Sequence, residues 1–310
     1  MSPPNAASSN ATSMPALPPW LDAMLPPGRR MLSIPDARGD AQTMHVIDTG
    51  PRQAPVVLMI HGNPTWSFLW RKIIAGCPEL RCIAPDLIGL GLSSKPLDPT
   101  WHTVEHHVDS LVRLLEALSV RRCVLVAQDW GGPFAMGLAA RWSGEVLGVV
   151  LGNTAITPLT RKSSTAFHRF ARTPVLSDLV FRGLAFPQSM MHRAQGDPSS
   201  IRGDVARAYR FPLRVSAERV APLAMARLVP DGPDHPTTAA LVPGHAWARA
   251  FDGPAHLVWG MRDPILKRAL TKTRAVFKNV EVTETQAGHF LQEEVPAPFC
   301  AAIARLANPA

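Results

Sequence analysis

The chain has 310 residues, 46% of them hydrophobic, a formal net charge of +8 and four cysteines. That length supplies core enough for one large α/β domain with an insertion, and Cys77, Cys82, Cys123 and Cys300, with no CxxC pair, argue against a zinc ribbon, a redox motif or a disulfide framework and read as reduced, mostly core residues. Lys and Arg are scattered, with only short pairs such as Arg29-Arg30 and Arg121-Arg122, so the charge reads as a basic surface and argues against nucleic acid as a partner.

Residues 1–28 are expected to form a flexible tail, since Met1 to Pro19 is rich in Ser, Pro, Ala and Asn and lacks the basic start and apolar run of a signal peptide. No apolar stretch reaches about 18 residues, so no membrane span is expected and the expected location is cytoplasmic. From Met44 onward short apolar runs alternate with longer amphipathic segments, the pattern of a mostly parallel α/β sheet. Val56 to Ile60, Cys82 to Ala84, Cys123 to Ala127, Leu147 to Leu151, Leu257 to Trp259 and Val280 to Thr283 read as strands, several of them ending at a polar turn. Thr103 to Leu118 carries Val104, Val108, Leu111, Leu115 and Leu118 at helical spacing. Between Thr157 and about Val229 the sheet pattern breaks into helical intervals interrupted by Pro174, Pro187, Pro198 and Pro212, which reads as an inserted cap. The expected division is a core over residues 29–155 and 230–310 with a cap over residues 156–229.

Val124-Leu-Val-Ala-Gln-Asp-Trp-Gly-Gly132 is a strand running into a turn and a helix, with small residues Ala127 and Gly131 two positions either side of Asp129. That is the shape of a nucleophile elbow, where the central side chain stands clear of the backbone. Asp129 could instead cap the following helix. A carboxylate at an elbow is ionised near neutral pH and can displace a leaving group from saturated carbon, forming an ester. Hydrolysing that ester needs a histidine and an acid that orients it, in the chain order nucleophile, acid, histidine. His289, in Ala287-Gly-His-Phe290 after the last strand, fits the first requirement. Asp263, at the turn after His256-Leu-Val-Trp-Gly260, fits the second, because Leu151-Gly-Asn-Thr-Ala155 offers no carboxylate at the other strand end. After the first parallel strand, His61-Gly-Asn-Pro-Thr-Trp66 can turn its backbone to the nucleophile. The backbone N–H groups of Asn63 and Trp130 are the natural oxyanion donors, and their side-chain N–H groups are neutral donors suited to a departing halide.

These segments resemble the haloalkane dehalogenases of the α/β-hydrolase superfamily, through His61-Gly-Asn-Pro-Thr-Trp-Ser-Phe-Leu-Trp-Arg71, Asp86-Leu-Ile-Gly-Leu-Gly-Leu-Ser-Ser-Lys-Pro96, Gln128-Asp-Trp-Gly131 and Gly288-His-Phe-Leu-Gln-Glu293-Glu294. The resemblance implies an eight-stranded, mostly parallel sheet flanked by helices, with a cap over an apolar tunnel shaped by residues such as Phe167, Phe170, Phe181, Phe186 and Leu213. It implies Asp129 as nucleophile, His289 as base, and Asn63 with Trp130 as halide ligands. With Asp263 as the acid, this set is similar to the third subfamily. The implied partners are a small apolar halogenated substrate, halide and water, with no metal or organic cofactor. Two rivals are an epoxide hydrolase, whose pair of cap tyrosines this chain with only Tyr209 lacks, and a non-catalytic binding protein, against which the intact Asp129, Asp263 and His289 set argues.

Overall fold

The computed structural model describes residues 13–36 and 39–307. In it eight strands make one sheet: β1 (Arg29–Pro35), β2 (Ala41–Thr49), β3 (Val56–Ile60), β4 (Arg81–Pro85), β5 (Arg122–Gln128), β6 (Glu145–Gly152), β7 (Ala255–Gly260) and β8 (Val280–Thr285). Their order is β1-β2-β4-β3-β5-β6-β7-β8. β1 with β2 and β2 with β4 are antiparallel, and the remaining neighbours are parallel. The central strands are apolar throughout because both faces are covered. Along β5 the side chains alternate between two cores: Cys123, Leu125 and Ala127 join one, Val124 and Val126 the other.

Helices α1 (Pro19–Asp22) and α2 (Arg71–Ala75) precede α3 (Val104–Ala117) and α4 (Gly131–Arg141). The helix expected from Thr103 to Leu118 is present, and the Thr103 hydroxyl accepts from the His106 N–H to cap it. The tail expected over residues 1–28 needs correction where the chain is described. Leu21 in α1 and Leu25 just beyond it are buried in the second core, because that face of the sheet needs apolar cover; residues 1–12 lie outside the described residues.

Between β6 and β7 the chain leaves the sheet for α5 (Ala166–Arg172), α6 (Leu176–Asp178), α7 (Gly203–Arg210) and α8 (Val220–Leu228), joined by 3-10 and π turns, before α9 (Pro236–Ala250) packs on α4. The prolines set these short lengths: Pro198 and Pro212 stand in the first turn of short 3-10 helices, and Pro174 follows the end of α5. Phe170, Phe181 and Phe186 pack on one another in the cap's own cluster, and Phe167 is exposed. Leu213 instead joins Ile156, Ala221 and Met225 in the core that holds Trp130. The chain then ends in α10 (Leu270–Arg274), α11 (Leu291–Glu294) and α12 (Pro296–Ala307). Among the described residues no helix is long and apolar enough to cross a membrane.

One buried carboxylate ties the loops at the top of the sheet together. Asp86, at the end of β4, accepts from the Ser67 N–H (2.7 Å), the Leu92 N–H (2.7 Å) and His45 Nδ1 (2.9 Å). Burial alone would push its carboxyl up, but the His45 ring, then His61 and the Leu92 N–H, hold it down to about 2. Because the folded value lies below the ordinary 3.8, this contribution of about 2 kcal/mol is complete above pH 4 or so and is lost as pH falls towards 2. Asp86→Asn is expected to lower unfolding free energy by about 3 kcal/mol in urea titrations at neutral pH, and to abolish that share of acid sensitivity.

Candidate active site

Asp129 stands between β5 and α4 with φ +52°, a conformation that strains any residue other than glycine and throws the carboxylate clear of the turn. The turn is held from β6: the Asp129 N–H donates to the Asn153 carbonyl (3.1 Å) and the Thr154 hydroxyl donates to the Asp129 carbonyl (2.6 Å). On the other side the Asn63 N–H donates to Asp129 Oδ1 (2.8 Å). A side chain at Gly62 would collide with the Asp129 carboxylate and the Trp130 N–H, so glycine is required where those two groups converge.

The His61 ring fixes that turn. Its Nδ1 donates to the Gly62 carbonyl (2.9 Å) and its Nε2 accepts from the Leu87 N–H (2.9 Å). Burial pushes its protonation down, in keeping with a neutral ring that is part donor and part acceptor.

His289 Nε2 lies 3.6 Å from Asp129 Oδ2, and its Nδ1 lies 2.8 Å from Asp263 Oδ2. The ring is 2% exposed, the Asp129 side chain 16% and the Asp263 side chain 0%. The structure thus brings together all three residues singled out by chain order. Burial would lower the His289 pKa, but Asp263 and Asp129 on its two nitrogens raise it to about 10. That folded value is above the ordinary 6.5, so the stabilisation is complete below about 6.5 and fades as pH rises through 10. Asp263 is shifted the other way: burial opposes ionisation, and the His289 ring, then Asn153 and the Ile265 N–H, overcome it.

Sequence reasoning missed the residues that brace this pair. Asn153, at the strand end that lacks a carboxylate, donates through Nδ2 to Asp263 Oδ2 (2.7 Å), while its Oδ1 accepts from the Gly260 N–H (2.6 Å). The position freed of an acid therefore orients the acid on the neighbouring strand. The Gln128 amide donates to the His289 carbonyl (3.1 Å). From the cap side, the Ala194 carbonyl accepts from the His289 N–H (2.7 Å), and Gln195 exchanges two hydrogen bonds with the backbone of Phe290. Only a signal linking the cap to the last loop could have found the Ala194 and Gln195 contacts.

The two residues expected as halide ligands flank the carboxylate. Asn63 Nδ2 donates to the Pro222 carbonyl of α8 (3.0 Å), which leaves its second N–H. The Trp130 indole is buried and stacks on Phe134, 5.6 Å between centroids and 22° between planes. Tyr209 points elsewhere: its hydroxyl donates to Glu293 (2.6 Å), which also pairs with Arg71.

A β/α sheet with a strained acid at the strand–helix elbow, and an acid–histidine pair on the last two strands, defines a hydrolase-type site. The α/β hydrolase fold model matches residues 55–296, and the chain belongs to that family. Within it the chain is a homologue of haloalkane dehalogenases. It is 30% identical to haloalkane dehalogenase 2 of Mycobacterium tuberculosis over 84% of this chain and 90% of that one. It is 31% identical to a cis-3-alkyl-4-alkyloxetan-2-one decarboxylase of Xanthomonas campestris over 81% of this chain and 87% of that one. The crystal structure of haloalkane dehalogenase DbeA from Bradyrhizobium elkani superposes with a TM-score of 0.77 at 28% identity, covering 90% of this chain and 98% of that one.

Proposed function

We propose that the chain hydrolyses haloalkanes to alcohol, halide and a proton through an ester of Asp129. The observation that carries this reading is the carboxylate of Asp129, held at a positive-φ elbow between the Asn63 N–H and His289. Oδ1, already bonded to the Asn63 N–H, becomes the carbonyl oxygen of the ester, so Oδ2 attacks the halogen-bearing carbon. The free Asn63 N–H and the Trp130 indole N–H stabilise the departing halide. Esterification removes the negative charge beside His289 Nε2, so the ring loses one of the two partners that hold its proton and becomes a base for water. Water then attacks the ester carbon, and the oxyanion forms on Oδ1 between the N–H groups of Asn63 and Trp130.

Asp263→Asn should lower turnover by on the order of 10³-fold, because the amide cannot hold the imidazolium and the tautomer is lost. Steady-state halide release measures it, and an unchanged rate would remove Asp263 from the reaction.

The decarboxylase relative supports a second reading at the same site, opening of a cis-3,4-dialkyloxetan-2-one ring with loss of carbon dioxide. A screen of chloro-, bromo- and iodoalkanes for halide release, with such an oxetanone, styrene oxide and a nitrophenyl ester alongside, separates the two. Halide with an equivalent of acid from bromoalkanes is the expected result; carbon dioxide from the oxetanone with no halide from any haloalkane overturns it.

A further inference from the structure

On the sheet face that carries α2 and α12, two thiols meet. Cys77 follows the C-terminal end of α2 and Cys300 lies in α12. A side chain at Gly76 would sit 2.6 Å from Cys300 Sγ and 3.6 Å from Cys300 Cβ, so the Cys300 sulfur rests on the backbone next to Cys77. The same sulfur lies 3.7 Å from the Ile73 carbonyl. Each thiol shifts the ionisation of the other, as neighbouring sulfurs do. Cys77 also lines a cavity of about 520 Å³, walled by Met24, Leu25, Ile74, Leu80 and Cys82, none of which belongs to the catalytic site.

We propose that Cys77 and Cys300 are a redox-active pair that closes reversibly to a disulfide, stapling the last helix to α2. The proton distribution suits this chemistry. The neighbouring Cys77 S–H lowers the Cys300 thiol to about 7, whereas Cys77, beside Cys300 and buried, is raised. With hydrogen peroxide as oxidant, the Cys300 thiolate attacks one peroxide oxygen and the O–O bond breaks, giving a sulfenic acid and hydroxide, which takes up a proton to become water. The Cys77 sulfur then attacks the sulfenic sulfur; its proton and the sulfenic hydroxyl leave as a second water. Two thiols are oxidised by two electrons and one peroxide is reduced. Neither step uses Asp129 or His289, so the pair stands or falls independently of the catalytic reading.

The test uses the full chain treated with one equivalent of hydrogen peroxide. Two of the four free thiols should disappear, and non-reducing peptide mapping should show the Cys77 and Cys300 peptides joined with loss of two hydrogens. Dithiothreitol should restore all four. Because the bridge closes a loop of most of the chain, the melting midpoint should rise by roughly 5 °C on oxidation. That rise should vanish in Cys77→Ser and Cys300→Ser and persist in Cys82→Ser. Four surviving thiols, a bridge between another pair, or Cys300 over-oxidised to sulfinic acid beside a free Cys77 would each overturn the proposal, and the mapping needs no variant.

Discussion

Asp129→Ala is expected to lower halide release by on the order of 10⁴-fold or more, with substrate still able to enter the site. The substitution removes the atom proposed to form the new bond, and the other carboxylate of the described site, Asp263, is fully buried against the far nitrogen of the His289 ring. Alanine also tolerates the φ of +52° less well than aspartate, at a cost of about 1 kcal/mol, so Asp129→Asn is the companion variant. It keeps the elbow and the acceptor for the Asn63 N–H but is a poor nucleophile. Both variants should fold by circular dichroism, and halide electrode traces should be flat for both. A residual rate within tenfold of the parent chain would show that the displacement does not begin at this carboxylate.

His289→Gln is expected to split the reaction in time. In the proposed reaction alkylation needs Oδ2 of Asp129 and the halide donors, all of which remain, whereas activation of water needs the ring. One equivalent of halide should be released in a burst, followed by a steady rate reduced by about 10³–10⁴-fold. Intact-mass measurement with a bromoalkane should show the chain heavier by the alkyl group, and the adduct should map to the peptide carrying Asp129. Loss of the burst along with turnover would place the histidine in the first step instead.

The candidate site was legible because each residue proposed as catalytic sits in a segment with its own local grammar. Asp129 lies between Ala127 and Gly131 at the end of an apolar strand, and His289 lies in a glycine turn after the last one. Sheet geometry does the rest: parallel strands deliver their C-terminal turns to one edge, so chain order was enough to pair Asp263 with His289. The supporting contacts were less legible because they are made across the chain. Asn153 acts on a residue 110 positions away, and the Pro222 carbonyl reaches Asn63 across 159 positions. No periodicity encodes such pairings.

The antiparallel β1–β2 hairpin also escaped the pattern. β2 carries His45 and Asp48 in buried positions, paired with Asp86 and with arginines, so its polar letters hide a strand with a buried core. Cap phenylalanines, in turn, were easy to see and hard to assign. Their periodicity is the same whether they face a tunnel or one another, and Phe170, Phe181 and Phe186 chose the latter.

Single-turnover hydrolysis of a bromoalkane in ¹⁸O-water, with excess chain over substrate, tests the central claim most directly. Water attack on the ester carbon places the label in the carboxylate of Asp129, and the first alcohol released carries unlabelled oxygen taken from Oδ2. Label in that first alcohol, with an unlabelled Asp129 peptide, would mean that water displaced the halide directly and that no bond to the carboxylate was ever made.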